Sequence, residues 1–410
     1  MYKPIELTTN IFYTGVNDRS HEVFENLWPL PQGVSFNSYL IEDDKIALID
    51  TVEIGYSDVF FRKIKSIIGD KKIDYLVVNH MEPDHSGSID WLVTQYPDIQ
   101  IIGNNRTADM LKGFYGITNN IILIKDQEEI SLGQNTLKFY LTPMVHWPET
   151  MMTYVPEKEA LFSGDVFGTF GTLDGGIMDS QLKVDRYWDE MIRYYSNVMG
   201  KYGSSVQTAL KKISGEKFRL LCSTHGPVWK EEKNISKVIL LYDQLSRYEA
   251  LENGLVIAYG SMYGNTERLA EVIAAGASEI GLCNIVLHNV SKSHQSDILR
   301  DIFKYNGLII GSPTYNNKLY PSVESLIDAI QGRNIKNRFF GYFGGYSWAG
   351  AAVKNLREFS EKMEFEVVSS PIEMKQSLDG TTYDLAFRLG KEMAEKLLSN
   401  EPVHSHKANC

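Results

Sequence analysis

Cysteine is scarce in this sequence: three residues in 410, Cys222, Cys283 and Cys410, each far from the others. That spacing excludes a disulfide framework and any local Cys-x-x-Cys knuckle for zinc or iron, so thiolate clusters carry no electrons here. Long apolar runs are missing too, none approaching the ~20 residues that span a bilayer. The opening stretch MYKPIELTTNIFYTG has neither a basic n-region nor an apolar core, so no secretory signal is read from it and a cytoplasmic location is expected. Concentrated positive charge is also lacking. A net charge of −11 with no basic cluster argues against nucleic acid as a partner, because a phosphate backbone attracts grouped Lys and Arg. No membrane partner is expected either.

What is present is an ordinary globular composition, 43% hydrophobic and 23% charged. The length exceeds the roughly 250 residues at which single cores stop growing, so more than one domain is expected. KVILLYDQLSRYEALENG reads as a helix ended by Asn253-Gly254, and LVIAYGS after it as a short β-run. The reading is therefore one domain over 1–250 and a second over 254–400, with 401–410 as a flexible tail. In that tail His404 and His406 read as solvated rather than metal-binding.

The first half places its chemistry in loops after β-runs. DYLVVN leads to His80, LKFYLTP to His146, ALFSG to Asp165 and FRLLCST to His225, while KIALID leads to Thr51. The densest stretch is NHMEPDHSGS, which sets His80, Glu82, Asp84 and His85 within six positions. Ionisable groups so crowded are costly in a core unless they share a partner. His80, Glu82, Asp84, His85, His146, Asp165 and His225 make seven candidate ligands. One zinc takes about four, so the number points to two metals, and Asp165, with two carboxylate oxygens, is the natural bridge. Taken alone, His146 or His225 reads more simply as a hydrogen-bonded loop residue; it is the combination that carries the metal reading.

The spacing H-x-E-x-D-H over 80–85, with His146, Asp165 and THGPV at 224–228, resembles the metallo-β-lactamase superfamily, and within it the flavodiiron branch. Zinc hydrolases of that superfamily usually show H-x-H-x-D-H, and here Glu82 replaces the second histidine. A hard anionic oxygen ligand favours iron over zinc and moves the expected chemistry from hydrolysis to redox. The resemblance implies His80, Glu82 and His146 on one iron, Asp84, His85 and His225 on the other, and Asp165 bridging, with His85 unbound in some relatives. HWPET at 146–150 and SGDVFG at 163–168 also look like the family's loops. Trp147 reads as a wall of the pocket, and simple packing explains it equally well. The stretch 27–40 is a further candidate for lining the pocket.

The second half is regular βα alternation, with strands expected at LVIAYG, NIVLHNV, GLIIGS, RFFGYFGG and EFEVVSSP. Such alternation predicts a doubly wound parallel sheet. GSMYGNTERLA at 260–270 follows a strand and opens a helix, which is the make-up of a phosphate cradle. It is neither a Walker A loop nor G-x-G-x-x-G. GSPTYNNKLYP at 311–321 and GGYSWAGAA at 344–352 follow strands at the same expected edge and add aromatics able to stack on a flat ring. Together the three loops resemble flavodoxins. That implies FMN, with Ser261, Met262, Tyr263, Gly264, Asn265 and Thr266 about its phosphate. The ring would lie between Ser312, Pro313, Thr314, Tyr315 and Asn316 on one side and Gly345, Tyr346, Ser347, Trp348 and Gly350 on the other.

The expected architecture is thus an α/β chain: a metallo-β-lactamase-like αββα sandwich followed by a flavodoxin-like five-stranded parallel sheet. By resemblance the whole is a short flavodiiron protein with two iron ions and one FMN per chain. Such proteins reduce dioxygen to water or nitric oxide to nitrous oxide, taking electrons from a rubredoxin or a reduced deazaflavin coenzyme. A head-to-tail homodimer or dimer of dimers comes with the resemblance. Two competing readings remain: a zinc hydrolase fused to a flavodoxin-like module, which Glu82 opposes, and a non-catalytic FMN electron carrier, which the full ligand set opposes.

Overall fold

A computed structural model describes residues 3–400; the expected tail 401–410, with His404 and His406, lies outside the described residues. The chain forms two compact units. One runs to Tyr195 and resumes over Ser204–Asp243; the other takes Ser196–Gly203 and the chain from Gln244 onward.

The first unit is built on two sheets. A seven-stranded sheet runs in the order Ile5–Thr8, Ile11–Tyr13, Tyr39–Ile41, Ala47–Ile49, Tyr75–Val77, Gln100–Gly103, Ile121–Leu123. A five-stranded sheet runs Glu129–Ser131, Thr136–Leu141, Met151–Val155, Ala160–Gly164, Leu220–Ser223. Their inner faces share one core, in which Tyr39, Ile49 and Val77 of the first sheet meet Phe139, Phe162 and Cys222 of the second. Alternate residues of Thr136–Leu141 explain the second sheet's share: Leu137 and Phe139 point inward and are fully buried. Ala47–Ile49 and Tyr75–Val77 are buried along their whole length. Strands buried on both faces need helices outside, and Ser57–Ile68 supplies Phe60, Ile64 and Ile68 at four-residue spacing. This is the layered sandwich expected from the sequence.

Strand direction puts the functional loops together. Tyr75–Val77 is parallel to Ala47–Ile49, and Ala160–Gly164 is parallel to Leu220–Ser223. Two antiparallel steps, through Met151–Val155, bring Thr136–Leu141 into the same direction as Ala160–Gly164. The chain therefore leaves each sheet toward residues 80, 146, 165 and 225 from the carboxyl ends of its strands, the edge where α/β sheets present their loops.

In the second unit the strands Ile285–Asn289, Glu252–Tyr259, Tyr305–Pro313 and Phe339–Tyr346 lie side by side, all parallel. Their chain order is 2-1-3-4. Leu255, Ile257 and Tyr259 pack on the helices Asn265–Glu279 and Gly380–Ser399, while Val256 and Ala258 are buried on the opposite face. The fifth place holds two short strands, Glu366–Val367 and Ile372–Lys375, both paired with Phe339–Tyr346. The sequence reading put one strand over 364–371; of that stretch only Glu366–Val367 is strand, and Ile372–Lys375 lies beyond it. Pro371 has no N–H to give the ladder, so the edge breaks around it.

The helix expected to end at Asn253-Gly254 stops earlier, at Ser246. A turn closed by Tyr248 N and Glu249 N, with Tyr248 at φ +58°, follows it, and Asn253-Gly254 belong to the next strand. Gly254 is there for contact rather than for stopping a helix: a Cβ on it would lie 2.2 Å from the Tyr305 ring on the neighbouring strand.

Candidate functional site

The seven side chains singled out from the sequence fall into two adjoining groups: His80, Glu82, His146 and Asp165, and Asp84, His85 and His225. Within each group the ligand-type atoms lie within 4.8 Å of one another. Local structure explains how neighbours in sequence serve different groups. The backbone amide of Asn79, just before His80, donates to the buried Asp50 carboxylate at 2.7 Å, which fixes the exit from the strand. Glu82 is still extended, and Pro83, whose fixed φ suits a first helical position, starts the single turn Pro83–Ser86. That turn carries Asp84 and His85 away from Glu82. Thr51 pins it, its N–H and Oγ1 both donating to the His85 carbonyl at 2.8 and 2.7 Å.

Asp165 joins the groups. Its Oδ2 is 3.6 Å from His80 Nε2 and 3.3 Å from His146 Nε2; its Oδ1 is 2.9 Å from His85 Nε2 and 3.6 Å from His225 Nε2. Glu82 Oε2 completes the first group at 3.1 Å from His80 Nε2 and 3.0 Å from His146 Nε2. Asp84 Oδ2 completes the second at 3.1 Å from His85 Nε2 and 3.3 Å from His225 Nε2. Metal–ligand bonds of ~2.1 Å at tetrahedral or octahedral angles give ligand-to-ligand edges of about 3.0–3.4 Å, so each group has the dimensions of one coordination shell.

The donor atoms also behave as ligands without a protein partner. Both oxygens of Asp84, both ring nitrogens of His85, Asp165 Oδ2 and His225 Nε2 are buried and make no hydrogen bond of acceptable geometry, close as they are to one another. Six such atoms at one spot are far outside the usual pairing of buried polar groups, and a cation is what would satisfy them together. The electrostatics agree. Burial opposes charge on His85 and His146, yet Asp84 and Asp165 hold His85 up at about 9, and Asp165 and Glu82 hold His146 up at about 9. The surrounding imidazoles keep Asp165 and Glu82 well below the usual carboxylate range despite burial. The residues fit a pair of metal ions bridged by Asp165.

Further groups surround these ligands, among them Trp147, which the sequence reading gave as a possible pocket wall. His80 Nδ1 donates to Glu149 Oε1 at 2.7 Å, and His225 Nδ1 donates to the Ser35 carbonyl at 2.8 Å. Both contacts leave Nε2 as the lone-pair nitrogen, facing the site. Thr224 Oγ1 donates to Asp165 Oδ1 at 2.5 Å. Phe24 and Tyr194 stand 5.4 Å from the His225 ring, and Phe36 stands 5.9 Å from it. Trp147 meets His80 edge-on at 5.3 Å. Of these, Glu149 and Trp147 lay inside the quoted HWPET stretch and Ser35 and Phe36 inside 27–40; Phe24 and Tyr194 gave no signal.

In the second unit the loops after Glu252–Tyr259 and Tyr305–Pro313 diverge at the point where strand order reverses, and a cleft of about 470 Å³ opens between them. Ser261, Met262 and Tyr263 line one side, Tyr315, Tyr320, Pro321 and Ser322 the other. The helix Asn265–Glu279 begins beside this cleft with Gly264 at φ +90° and no side-chain cap. Asn105–Tyr115 and Gly380–Ser399 are capped by Asn104 and Asp379, whereas Ser57–Ile68, Asp185–Tyr194, Pro321–Gly332 and Ala352–Met363 also lack a side-chain cap; what distinguishes Asn265–Glu279 is its place beside the cleft. An uncapped N-terminus with free N–H groups at a cleft is suited to phosphate. Ser261 Oγ accepts from Gly264 N at 3.1 Å and holds the loop in shape.

The other flavin candidates divide between scaffold and surface. Thr314 Oγ1 accepts from the backbone N–H groups of Ala351 and Ala352 at 3.0 and 3.2 Å, tying the second loop to the third. Ser312 Oγ donates to the Pro313 carbonyl and accepts from Tyr320 N, so its hydroxyl is used within the loop. Thr266 is buried, its Oγ1 near Gly345. Asn316 sits at φ +48° in the turn that Tyr315 and Lys318 close. Tyr263 and Trp348, by contrast, are 90% and 91% exposed, flat apolar rings held in solvent. Gly345 and Tyr346 end the strand, and Ser347 and Gly350 lie in the exposed or half-buried loop after it.

Residues 34–226 match the family described as ODP family beta lactamase, and residues 257–390 match flavodoxin. A nitric oxide reductase of Moorella thermoacetica is 32% identical over 404 residues, 97% of this chain and 100% of the relative. The structure of rubredoxin oxygen:oxidoreductase from Desulfovibrio gigas superposes with a TM-score of 0.92 at 28% identity, covering 97% of this chain and 99% of that one. A flavo di-iron protein of Thermotoga maritima gives 0.87 at 29% identity, covering 96% and 98%.

Proposed function

This chain belongs to the flavodiiron proteins, and from that premise we propose that it reduces dioxygen to water, nitric oxide to nitrous oxide, or both. The site is a pair of non-haem iron ions served by FMN. In this reading residues 1–250 form the diiron part and residues 254–400 the FMN part. His80, Glu82 and His146 hold one ion, Asp84, His85 and His225 the other, and Asp165 lies between. The observation that carries the reading is Asp165 presenting one oxygen to each group, among buried ligand atoms of which six make no hydrogen bond within the protein.

Bound there, the paired iron supplies one-electron valence changes at two adjacent centres, and FMN supplies the store that refills them. The chain's own residues set the conditions. Glu82 and Asp84 give each position a hard anionic oxygen, which favours iron. Glu149 and the Ser35 carbonyl hold His80 and His225 in the tautomer that turns Nε2 inward. Trp147, Phe24 and Phe36 pack against the imidazoles and limit water at their faces. In the other unit, the uncapped helix at Gly264 receives the phosphate, and the Tyr315, Tyr346 and Trp348 region receives the ring.

Electrons come from an external donor. A rubredoxin is favoured by the Desulfovibrio gigas relative, whose name contains it; a reduced deazaflavin coenzyme is the other candidate. No helix among the described residues is long and apolar enough to cross a membrane; action in the cytoplasm is part of the proposal. A head-to-tail homodimer, or a dimer of dimers, belongs to the same proposal, because it would set one chain's flavin beside another chain's irons.

The test is to purify the protein anaerobically, measure iron and FMN, reduce it, and follow dioxygen and nitric oxide consumption in parallel. Consumption of at least one gas by protein holding both cofactors is expected. Zinc in place of iron with neither gas consumed overturns the reading.

A further inference from the structure

The two metal-binding groups differ in what stands behind their histidines. Behind His80 is a carboxylate, Glu149, fully buried, whose Oε1 accepts from His80 Nδ1 at 2.7 Å and from the Met81 N–H at 2.8 Å. Behind His225 is a neutral backbone carbonyl, that of Ser35. Behind His85 there is no hydrogen-bond partner for Nδ1. The ligands in front are otherwise balanced: one carboxylate each, Glu82 or Asp84, and one oxygen each of Asp165.

A carboxylate on Nδ1–H fixes a histidine's ring orientation and makes its other nitrogen a stronger donor, and losing such a partner typically lowers metal affinity about 10–100-fold. Hydrogen bonds to an ionised acceptor are roughly twice as strong as those to a neutral one. Another buried carboxylate, Asp50, interacts with His85 more than with His80, but its hydrogen bonds come from the Asn79 and His80 backbone N–H groups and Asn79 Nδ2; what sets Glu149 apart is its direct hydrogen bond to a ligand ring.

We propose that Glu149 is a positioning residue that makes the two metal positions unequal, so that the ion held by His80, Glu82 and His146 is retained more tightly than the ion held by Asp84, His85 and His225. The inference rests on the two-metal reading above. It assigns the asymmetry to a side chain that touches neither ion.

The test challenges the iron-loaded, FMN-containing protein with graded chelator under anaerobic conditions and counts iron per chain at each step. Wild-type protein is expected to lose its irons in two phases, the second requiring about 10–100-fold more chelator. Glu149→Gln keeps an acceptor oxygen for His80 and Met81 but removes the charge, and is expected to lose both irons in the first phase with FMN content unchanged. Glu149→Asp keeps the charge and is expected to restore two phases. Two irons leaving wild-type protein together overturn the proposal without recourse to any variant. So does a Glu149→Gln protein whose phases stay as far apart as before. Should wild-type protein never hold a second iron, the two-metal reading itself fails, and the proposal with it.

Discussion

The two sites of this chain are built from opposite materials. In the first unit the site is made of side chains, nearly all buried, held at strand ends by a shared core and by further hydrogen bonds behind them. In the second it is made mainly of backbone: an uncapped helix start, a glycine at positive φ, and loops whose hydroxyls are occupied by backbone groups of the same loops. Two of its aromatic side chains, Tyr263 and Trp348, stand out in solvent. The difference teaches where each site is fragile. A side-chain site fails when one atom is removed; a backbone site fails when the loop that shapes it is bent, and tolerates the loss of single side chains.

Asp165→Ala should therefore have the largest effect, since it deletes the one group shared by both metal positions. Gas consumption is expected to fall to background while the flavin absorbance of the purified protein stays intact. Turnover within a few-fold of wild type would show that the side-chain site is less dependent on its bridge than its geometry implies.

Acidity sharpens the contrast next. Without a cation, His85 and His146 sit near 9, so below that pH they carry protons that a metal must displace. Iron retention should tighten as pH rises toward about 9 and weaken as it falls, with proton uptake when iron is stripped near pH 8. FMN retention should be far flatter over the same range, because serines, tyrosines, a methionine and a proline line its cleft, with no histidine or carboxylate among them. Iron retention that is flat with pH would contradict the first half of this comparison.

Within the flavin cleft the comparison runs between backbone and side chain. Gly264→Val forces a β-branched residue into φ +90°. At roughly 1–2 kcal/mol of strain, FMN should bind about 10-fold more weakly. Trp348→Ala removes a ring that is 91% exposed, so folding stability should change by less than about 0.5 kcal/mol, seen as an unmoved thermal midpoint. Its effect belongs to the rate at which flavin exchanges electrons.

The same division governs how much was legible in the sequence. Histidines and carboxylates declare their chemistry by identity, and strands that share direction bring 80, 146, 165 and 225 to one edge, so the ligand set and the layered fold could be read. Ser35 contributes through its carbonyl, which every residue has, and nothing in its identity marks it. Phe24 and Tyr194 reach His225 from far away in the chain, and no local pattern encodes that. Gly254 was misread as a helix stop because close packing against Tyr305 and chain reversal both call for glycine. The edge strand read over 364–371 pairs only at Glu366–Val367, and the edge resumes after Pro371 at Ile372–Lys375, where no strand was read. The flavin cleft was visible chiefly as a likeness, since loop geometry is only loosely tied to residue type.

The account turns on Asp165 standing between two iron ions. Anomalous diffraction at the iron edge from crystals of the anaerobically purified protein tests this directly. Two iron peaks are expected, one among His80, Glu82 and His146 and one among Asp84, His85 and His225, with an Asp165 oxygen on each. A single peak, or zinc in its place, would contradict it.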